Sequence, residues 1–158
     1  MRSVASIGGH PIHPGMVAIP IGAFTVTLVA DVVTWATGNL GWGDAARYAL
    51  IVGVVGALLA AVFGLIDYFK VTMSEAGFRI ARWHMWLNLT AVTLFAVSLW
   101  LRYRDANGWC VPGFVASTVA YLIVSGSGYL GGELVFKHKV GVMETDREAT
   151  ELGQKDAR

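Results

Sequence analysis

The sequence predicts an all-α integral membrane protein, a four-helix bundle running up-down-up-down with its N and C termini on the same side. Three observations carry this prediction. Of the 158 residues, 55% are apolar and 15% are charged, and the mean hydropathy of +0.56 lies outside the range of ordinary soluble domains. The charges gather between four apolar runs, each near the ~20 residues that a helix needs to cross a hydrocarbon core about 30 Å thick. The tryptophans fall near the ends of these runs, as expected of side chains that seat at the membrane–water boundary. Residues 1–142 are thus read as one four-span membrane domain and residues 143–158 as a charged C-terminal tail, frayed or lying on the interface.

The first span is expected over residues 15–37. Before it stands Gly8-Gly9-His10-Pro11-Ile12-His13-Pro14-Gly15. Proline fixes its own φ and pushes the preceding residue toward extended geometry, so both histidines are expected in a stiff, non-helical lead-in. Pro20, one turn inside, frees a carbonyl and invites a kink. Asp31 lies a turn or two from the far boundary and is read as a carboxylate that reaches water. Thr37 to Asp44 then reads as a glycine-rich turn, with Asp44 capping the next helix.

The second span is expected over residues 45–69. Gly53, Gly56, Ala60, Gly64 and Asp67 follow one helical stripe, the small-residue spacing that lets membrane helices approach closely. Residues 70–82 are polar and basic, with Ser74 to Gly77 as a turn or an interfacial helix start. The third span, residues 83–101, opens with His84, and Asn88 lies one turn further on the same face. The fourth, residues 111–136, ends in a dense run of glycines. Each costs about 1 kcal/mol relative to alanine in a helix in water, so close approach of a neighbour is expected to compensate. Gly128 and Gly131 share a stripe with Leu134 and His138, which predicts an open slot on the membrane side of that histidine. Glu133 and Lys137, one turn apart, are expected to form an ordinary ion pair.

Four crossings decide where the four histidines lie. The first span begins at the face carrying His10 and His13, the second ends there at Asp67, the third begins there at His84, and the fourth ends there at His138. All the histidines are therefore expected at one face, with Asp67 and Glu133 beside them. Trp83 and Trp86 belong to this face, and Trp35, Trp42, Trp100 and Trp109 to the other. The histidine face also holds Arg2, Lys70, Arg79, Arg82, Lys137, Lys139 and Arg147, against Arg47, Arg102 and Arg104 opposite. The positive-inside rule places the termini and the histidine cluster in the cytoplasm.

Several functions are set aside by what the chain lacks. A net charge of +1, with no basic stripe interleaved by aromatics, gives no support for nucleic acid binding. One cysteine, Cys110, permits no internal disulfide, and without C-x-x-C-H a covalently attached c-type haem has no anchor. No stretch before the first span has the length of a signal peptide, so that span is expected to direct insertion itself. No G-x-S-x-G, Walker or dinucleotide fingerprint argues for a hydrolase, ATPase or flavin enzyme.

A single interfacial histidine is an ordinary amphipathic anchor; four beside a carboxylate and a glycine-lined slot make a candidate redox centre. The first reading is b-type haem electron transfer, with His84 and His138 as axial ligands, His13 next in order, His10 as a propionate contact, Gly128 and Gly131 lining the slot, and Asn88 supporting by hydrogen bonds. The alternative is a non-haem copper, zinc or iron site built from His10, His13, His84, His138 and Asp67, since imidazoles with a carboxylate suit all three metals. Asp67 is alternatively read as orienting a histidine N–H rather than binding metal. A third reading is a structural or assembly subunit whose glycine faces bind other helices.

The elements His10-Pro11-Ile12-His13-Pro14, Pro20-Ile21-Gly22, Gly64-Leu65-Ile66-Asp67, His84 with Asn88, and Gly131-Gly132-Glu133-Leu134-Val135 occur in order through all four spans. Together they resemble the bacterial four-helix membrane family known as domain of unknown function 2231, over about Gly9 to Val142. The resemblance implies a multi-pass protein of the bacterial inner (cell) membrane. Relatives of this type are joined to Rieske iron–sulfur or cytochrome c domains, which implies membrane redox work; no such domain is read in these residues. The expected partners are the lipid bilayer, a separate electron-transfer protein and, through the glycine faces, further copies of the chain in a homo-oligomer.

Overall fold

Every apolar run forms a helix in the computed structural model, which describes residues 3–142. A two-residue hairpin pairs β1 (Ser6–Ile7) with β2 (His10–Pro11), turning through Gly8 and Gly9 at φ 57° and 81°. Five helices follow: α1 (Ile12–Met16), α2 (Ala18–Thr37), α3 (Leu40–Lys70), α4 (Glu75–Arg104) and α5 (Val111–Phe136). Among the described residues four stretches are long and apolar enough to cross a membrane: Ile12–Thr37, Leu40–Lys70, Glu75–Arg104 and Val111–Phe136. The protein is a multi-pass membrane protein. The expected tail, 143–158, lies outside the described residues.

The fourth span falls where the sequence places it, and the other three start earlier. Helix α3 is capped by Asn39, whose side chain accepts from the Gly41 N–H at 2.9 Å, not by Asp44, which instead pairs with Arg47 at 2.8 Å. The glycines there serve packing as well as turning: a Cβ on Gly43 would stand 3.0 Å from the Trp109 side chain. Helix α4 begins directly after Ser74, which accepts from the Gly77 N–H at 3.2 Å, so of the two readings of Ser74 to Gly77 the helix start holds, continuous with the span. His13 is helical despite Pro14. Proline is tolerated in a first helical turn because its missing N–H would have had no partner there. The Val17 N–H then donates to the His13 carbonyl at 3.1 Å and Ile21 to Val17 at 3.2 Å, carrying the chain helically from α1 into α2.

The bundle consists of two antiparallel hairpins, α2 with α3 and α4 with α5, each more closely packed internally than against the other. Their register is read from cross-helix contacts. Thr27 Oγ1 donates to the Ala46 carbonyl at 3.4 Å and His13 Nδ1 meets the Ala60 carbonyl at 2.9 Å; Ser98 Oγ donates to the Gly113 carbonyl at 2.6 Å and His84 Nδ1 meets the Ser127 carbonyl at 2.8 Å. Between the hairpins, Phe24 and Phe95 stack with centroids 3.6 Å apart and planes 8° from parallel, packed with Leu50, Ala91 and Ala120.

Apart from Phe24, Leu50 and Phe95, the inward faces are mostly small or polar, and the outward faces are large and apolar. Only 17 to 28% of each apolar window is buried inside the protein, so most of each span is left for lipid. Trp35, Trp42, Trp83, Trp86 and Trp100 are exposed on that outer surface. Lipid tails are as apolar as leucine, so burying leucine against protein gains little in a membrane, whereas small residues gain close contact.

The end away from the histidines holds a fully buried ion pair. Arg102 Nη1 and Nη2 donate to Asp31 Oδ1 and Oδ2 at 2.7 and 2.6 Å, and both side chains are 0% exposed. Trp109 Nε1 and Ser117 Oγ also donate to Asp31, at 2.9 and 3.0 Å, while Arg102 Nε donates to Ser98 Oγ at 3.2 Å. Asp31 thus does not reach water as the sequence suggests, and Arg102 and Trp109 are not simple boundary residues. The helical rotation that buries Phe24 and Thr27 buries Asp31 as well.

Two replacements test this packing by thermal unfolding in detergent. A Cβ on Gly53 would collide with the Phe24 ring, which the Phe95 stack holds in place, so Gly53→Ala is expected to destabilise by about 1–3 kcal/mol. Arg102→Met leaves a buried carboxylate without its partner and is expected to cost about 3–5 kcal/mol.

Candidate functional site

The histidine end is assembled by all of α1, α3, α4 and α5. His13, in the first turn of α1, lies against α3, where its Nδ1 meets the Ala60 carbonyl at 2.9 Å and a Cβ on Gly64 would stand 3.0 Å from its Cε1. His84, three turns into α4, lies in the same way against α5: Nδ1 meets the Ser127 carbonyl at 2.8 Å, and a Cβ on Gly131 would stand 3.0 Å from its Cε1. The two imidazoles face each other with centroids 6.4 Å apart and planes at 85°. Both are half-buried.

A carbonyl oxygen can only accept, so each Nδ1 carries the proton and donates it across the hairpin. A neutral ring protonated at Nδ1 keeps its lone pair on Nε2, the arrangement found in histidines that bind metals. Around His84, Asn88 Nδ2 donates to the His84 carbonyl at 2.8 Å and to Ser127 Oγ at 2.7 Å, and it stands 3.1 Å from His84 Nε2, so the lone pair of that nitrogen faces an amide donor. Ser127 Oγ donates in turn to the His84 carbonyl at 3.1 Å. Asn88 therefore supports His84 from the same helix face, as its spacing suggests. Ser127 did not stand out in the sequence, and Ala60 only as one of a stripe of small residues; each precedes by one turn the glycine on which an imidazole rests, and that spacing is the signal that could have found them as histidine partners.

The remaining candidates lie apart from this pair. The sequence couples His84 with His138, yet the ring that meets His84 is that of His13. His138 stands beside Gly77, where a built Cβ would lie 3.5 Å from its Nδ1, and its buried Nε2 has no hydrogen-bond partner among the described residues. His10 is exposed on β2 with Nδ1 3.2 Å from the Gly8 carbonyl. Asp67 accepts from Ser3 Oγ at 2.6 Å and from the backbone N–H groups of Val4 and Ala5 at 2.9 and 3.0 Å, so it ties the N-terminal segment to the end of α3. Gly131 is covered by the His84 ring, which takes the place of the slot expected beside His138, and a Cβ on Gly128 would meet nothing within 4 Å. Among the described residues no three His, Cys, Asp or Glu side chains stand close enough to hold a metal ion, so the five-residue cluster is not assembled. Glu133 pairs with Lys137 at 2.7 Å, and that hydrogen bond holds the ammonium above the ordinary lysine range.

A family model described as a predicted membrane protein (DUF2231) matches residues 9–144. No curated protein and no solved structure matches the chain.

Gly131→Ala, and likewise Gly64→Ala, must displace the imidazole lying against it. In selectively 15N-histidine-labelled protein, Gly131→Ala is expected to move the His84 ring resonances and leave those of His10 in place.

Proposed function

The chain belongs to the DUF2231 family of predicted membrane proteins, and from that premise we propose that it is a membrane redox protein holding one b-type haem between His13 and His84. The observation that carries the reading is the facing pair of imidazoles, 6.4 Å between centroids, each with Nδ1 bound to a carbonyl. Imidazoles are ordinary haem ligands, so His13 and His84 would hold the group. A haem asks the protein for one or two ligands, whereas a closed copper, zinc or iron site asks for more donors than stand together among the described residues.

When bound, haem supplies a one-electron carrier whose potential is set by its axial ligands and its burial. The chain's own residues set those conditions. The Ala60 and Ser127 carbonyls hold a proton on each Nδ1, fixing tautomer and ring angle; Gly64 and Gly131 let each imidazole lie close to a helix; Asn88 and Ser127 hold the His84 backbone and ring together. A membrane-embedded centre near one end of the bundle suits exchange of electrons with a separate protein at that face. The excess of lysine and arginine at the histidine end supports placing it, with the termini, on the cytoplasmic side of a bacterial inner membrane.

One observation favours a second reading. The Nδ1–carbonyl bonds also join the two helices of each hairpin, so the histidines can serve as helix clamps in a structural or assembly subunit. The optical spectrum of detergent-purified protein, oxidised and dithionite-reduced, with metal analysis of the same sample, separates the readings. A Soret band that shifts on reduction is expected, with one haem per chain, lost in His13→Ala and in His84→Ala and kept in His10→Ala and His138→Ala. Stoichiometric metal without pigment would indicate the non-haem alternative. Neither pigment nor metal, even after reconstitution with haemin, would leave the clamp.

A further inference from the structure

The contacts that define one hairpin recur in the other. In α1 and α2, His13, Phe24, Thr27 and Asp31 correspond to His84, Phe95, Ser98 and Arg102 of α4, each pair separated by 71 residues. In α3, Ala46, Gly53, Ala60 and Gly64 correspond to Gly113, Ala120, Ser127 and Gly131 of α5, each pair separated by 67 residues. The two separations differ by about one helical turn, which is the last turn of α2: α4 ends at Arg104, the counterpart of Val33, whereas α2 runs on to Thr37. The turns repeat as well: Gly41-Trp42 corresponds to Gly108-Trp109.

Corresponding residues also make corresponding bonds. His13 to the Ala60 carbonyl matches His84 to the Ser127 carbonyl, and Thr27 to the Ala46 carbonyl matches Ser98 to the Gly113 carbonyl. Gly64 beneath the His13 ring matches Gly131 beneath the His84 ring, each with a built Cβ 3.0 Å from Cε1. At three levels a residue meets its own counterpart: His13 with His84, Phe24 with Phe95, and Asp31 with Arg102. Only residues on a two-fold axis do this.

We infer that the chain is a tandem repeat of one two-helix unit, its halves related by a pseudo-two-fold axis along the bundle, so that the inner face of each hairpin is built to dock on another copy of itself. Parallel repeats about an axis along the membrane normal are a known way of building membrane bundles. On that axis a residue confronts its own kind. Phenylalanine stacks on phenylalanine and histidine faces histidine, but two aspartates or two arginines would repel in a buried site. The covalent link between the halves permits what a homodimer could not, opposite charges at one equivalent position. Asp31 and Arg102 thus make each half the preferred partner of the other rather than of a second copy. The inference rests on packing and not on the haem reading, and pigment content does not bear on it.

Charge exchange in the full chain, purified in detergent, tests it. Asp31→Arg puts two guanidiniums on the axis and Arg102→Asp two carboxylates, and each is expected to lose the monodisperse monomer peak in size exclusion. Asp31→Arg combined with Arg102→Asp exchanges the charges and is expected to regain the peak. Ser117 corresponds to Leu50, so adding Leu50→Ser and Ser117→Leu carries the hydroxyl to its equivalent place and is expected to raise the melting temperature of the exchanged chain. An exchanged chain no better than the single variants, or a hydroxyl transfer that fails to raise its melting temperature, overturns the repeat. Independently of charge, Phe24→Leu and Phe95→Leu are expected to lower the melting temperature by the same amount, and clearly unequal shifts would overturn the equivalence.

Discussion

A carboxylate and a guanidinium sealed from both water and lipid constrain everything around them. Asp31 and Arg102 are 0% exposed and bound through two hydrogen bonds, so removing either side chain leaves the other as a buried charge without its partner. Asp31 accepts four hydrogen bonds, from Arg102 on α4, Ser117 on α5 and Trp109 at the turn before it. The pair therefore fixes the rotation of α2 against two other helices at once. With that rotation set, His13 faces His84 at the opposite end of the bundle. A buried ion pair is weak evidence of net stability, but it penalises every arrangement in which either partner is left alone, and so selects one register.

The rest of the packing follows from the absence of a hydrophobic force between helices in lipid. Glycine and alanine face inward along α3 and α5, and the side chains of the facing helices lie on them: Phe24 on Gly53, His13 on Gly64, His84 on Gly131. Hydroxyls on the same inner faces close bonds to backbone carbonyls of the neighbouring helix, as Ser98 does to Gly113. These are contacts of shape and hydrogen bonding, the terms that remain when apolar burial gains little. They also bring two imidazoles to a defined spacing with both rings oriented by backbone carbonyls.

Much of this was legible in the residues. Long apolar runs, boundary tryptophans and clustered charges identify four spans, because transfer into hydrocarbon depends on composition over about 20 residues and little else. The family resemblance, drawn from motifs in all four spans, agrees with the family match. Where helices begin was harder to read: Asn39, Ser74 and Pro14 are each compatible with a turn, and only their local bonds show them at helix starts. The sequence puts all four histidines at one end, but which rings meet was not legible. His138 is as close to that end in sequence as His84, and no periodicity reports the rotation of one helix against another.

The sequence alone determined that the chain crosses a membrane four times, that His13 and His84 lie toward one end, and that small residues line the inner faces of α3 and α5. Those properties belong to single helices, and the pattern along one helix is enough to fix them. The tertiary structure alone decided that Asp31 and Arg102 are partners, that His13 and not His138 faces His84, that Asp67 binds the N-terminal segment, and that the two hairpins repeat each other's contacts. Each of these is a relation between residues tens of positions apart, set by how helices rotate and slide against one another, and that free energy is spread over many contacts with no local trace in the chain.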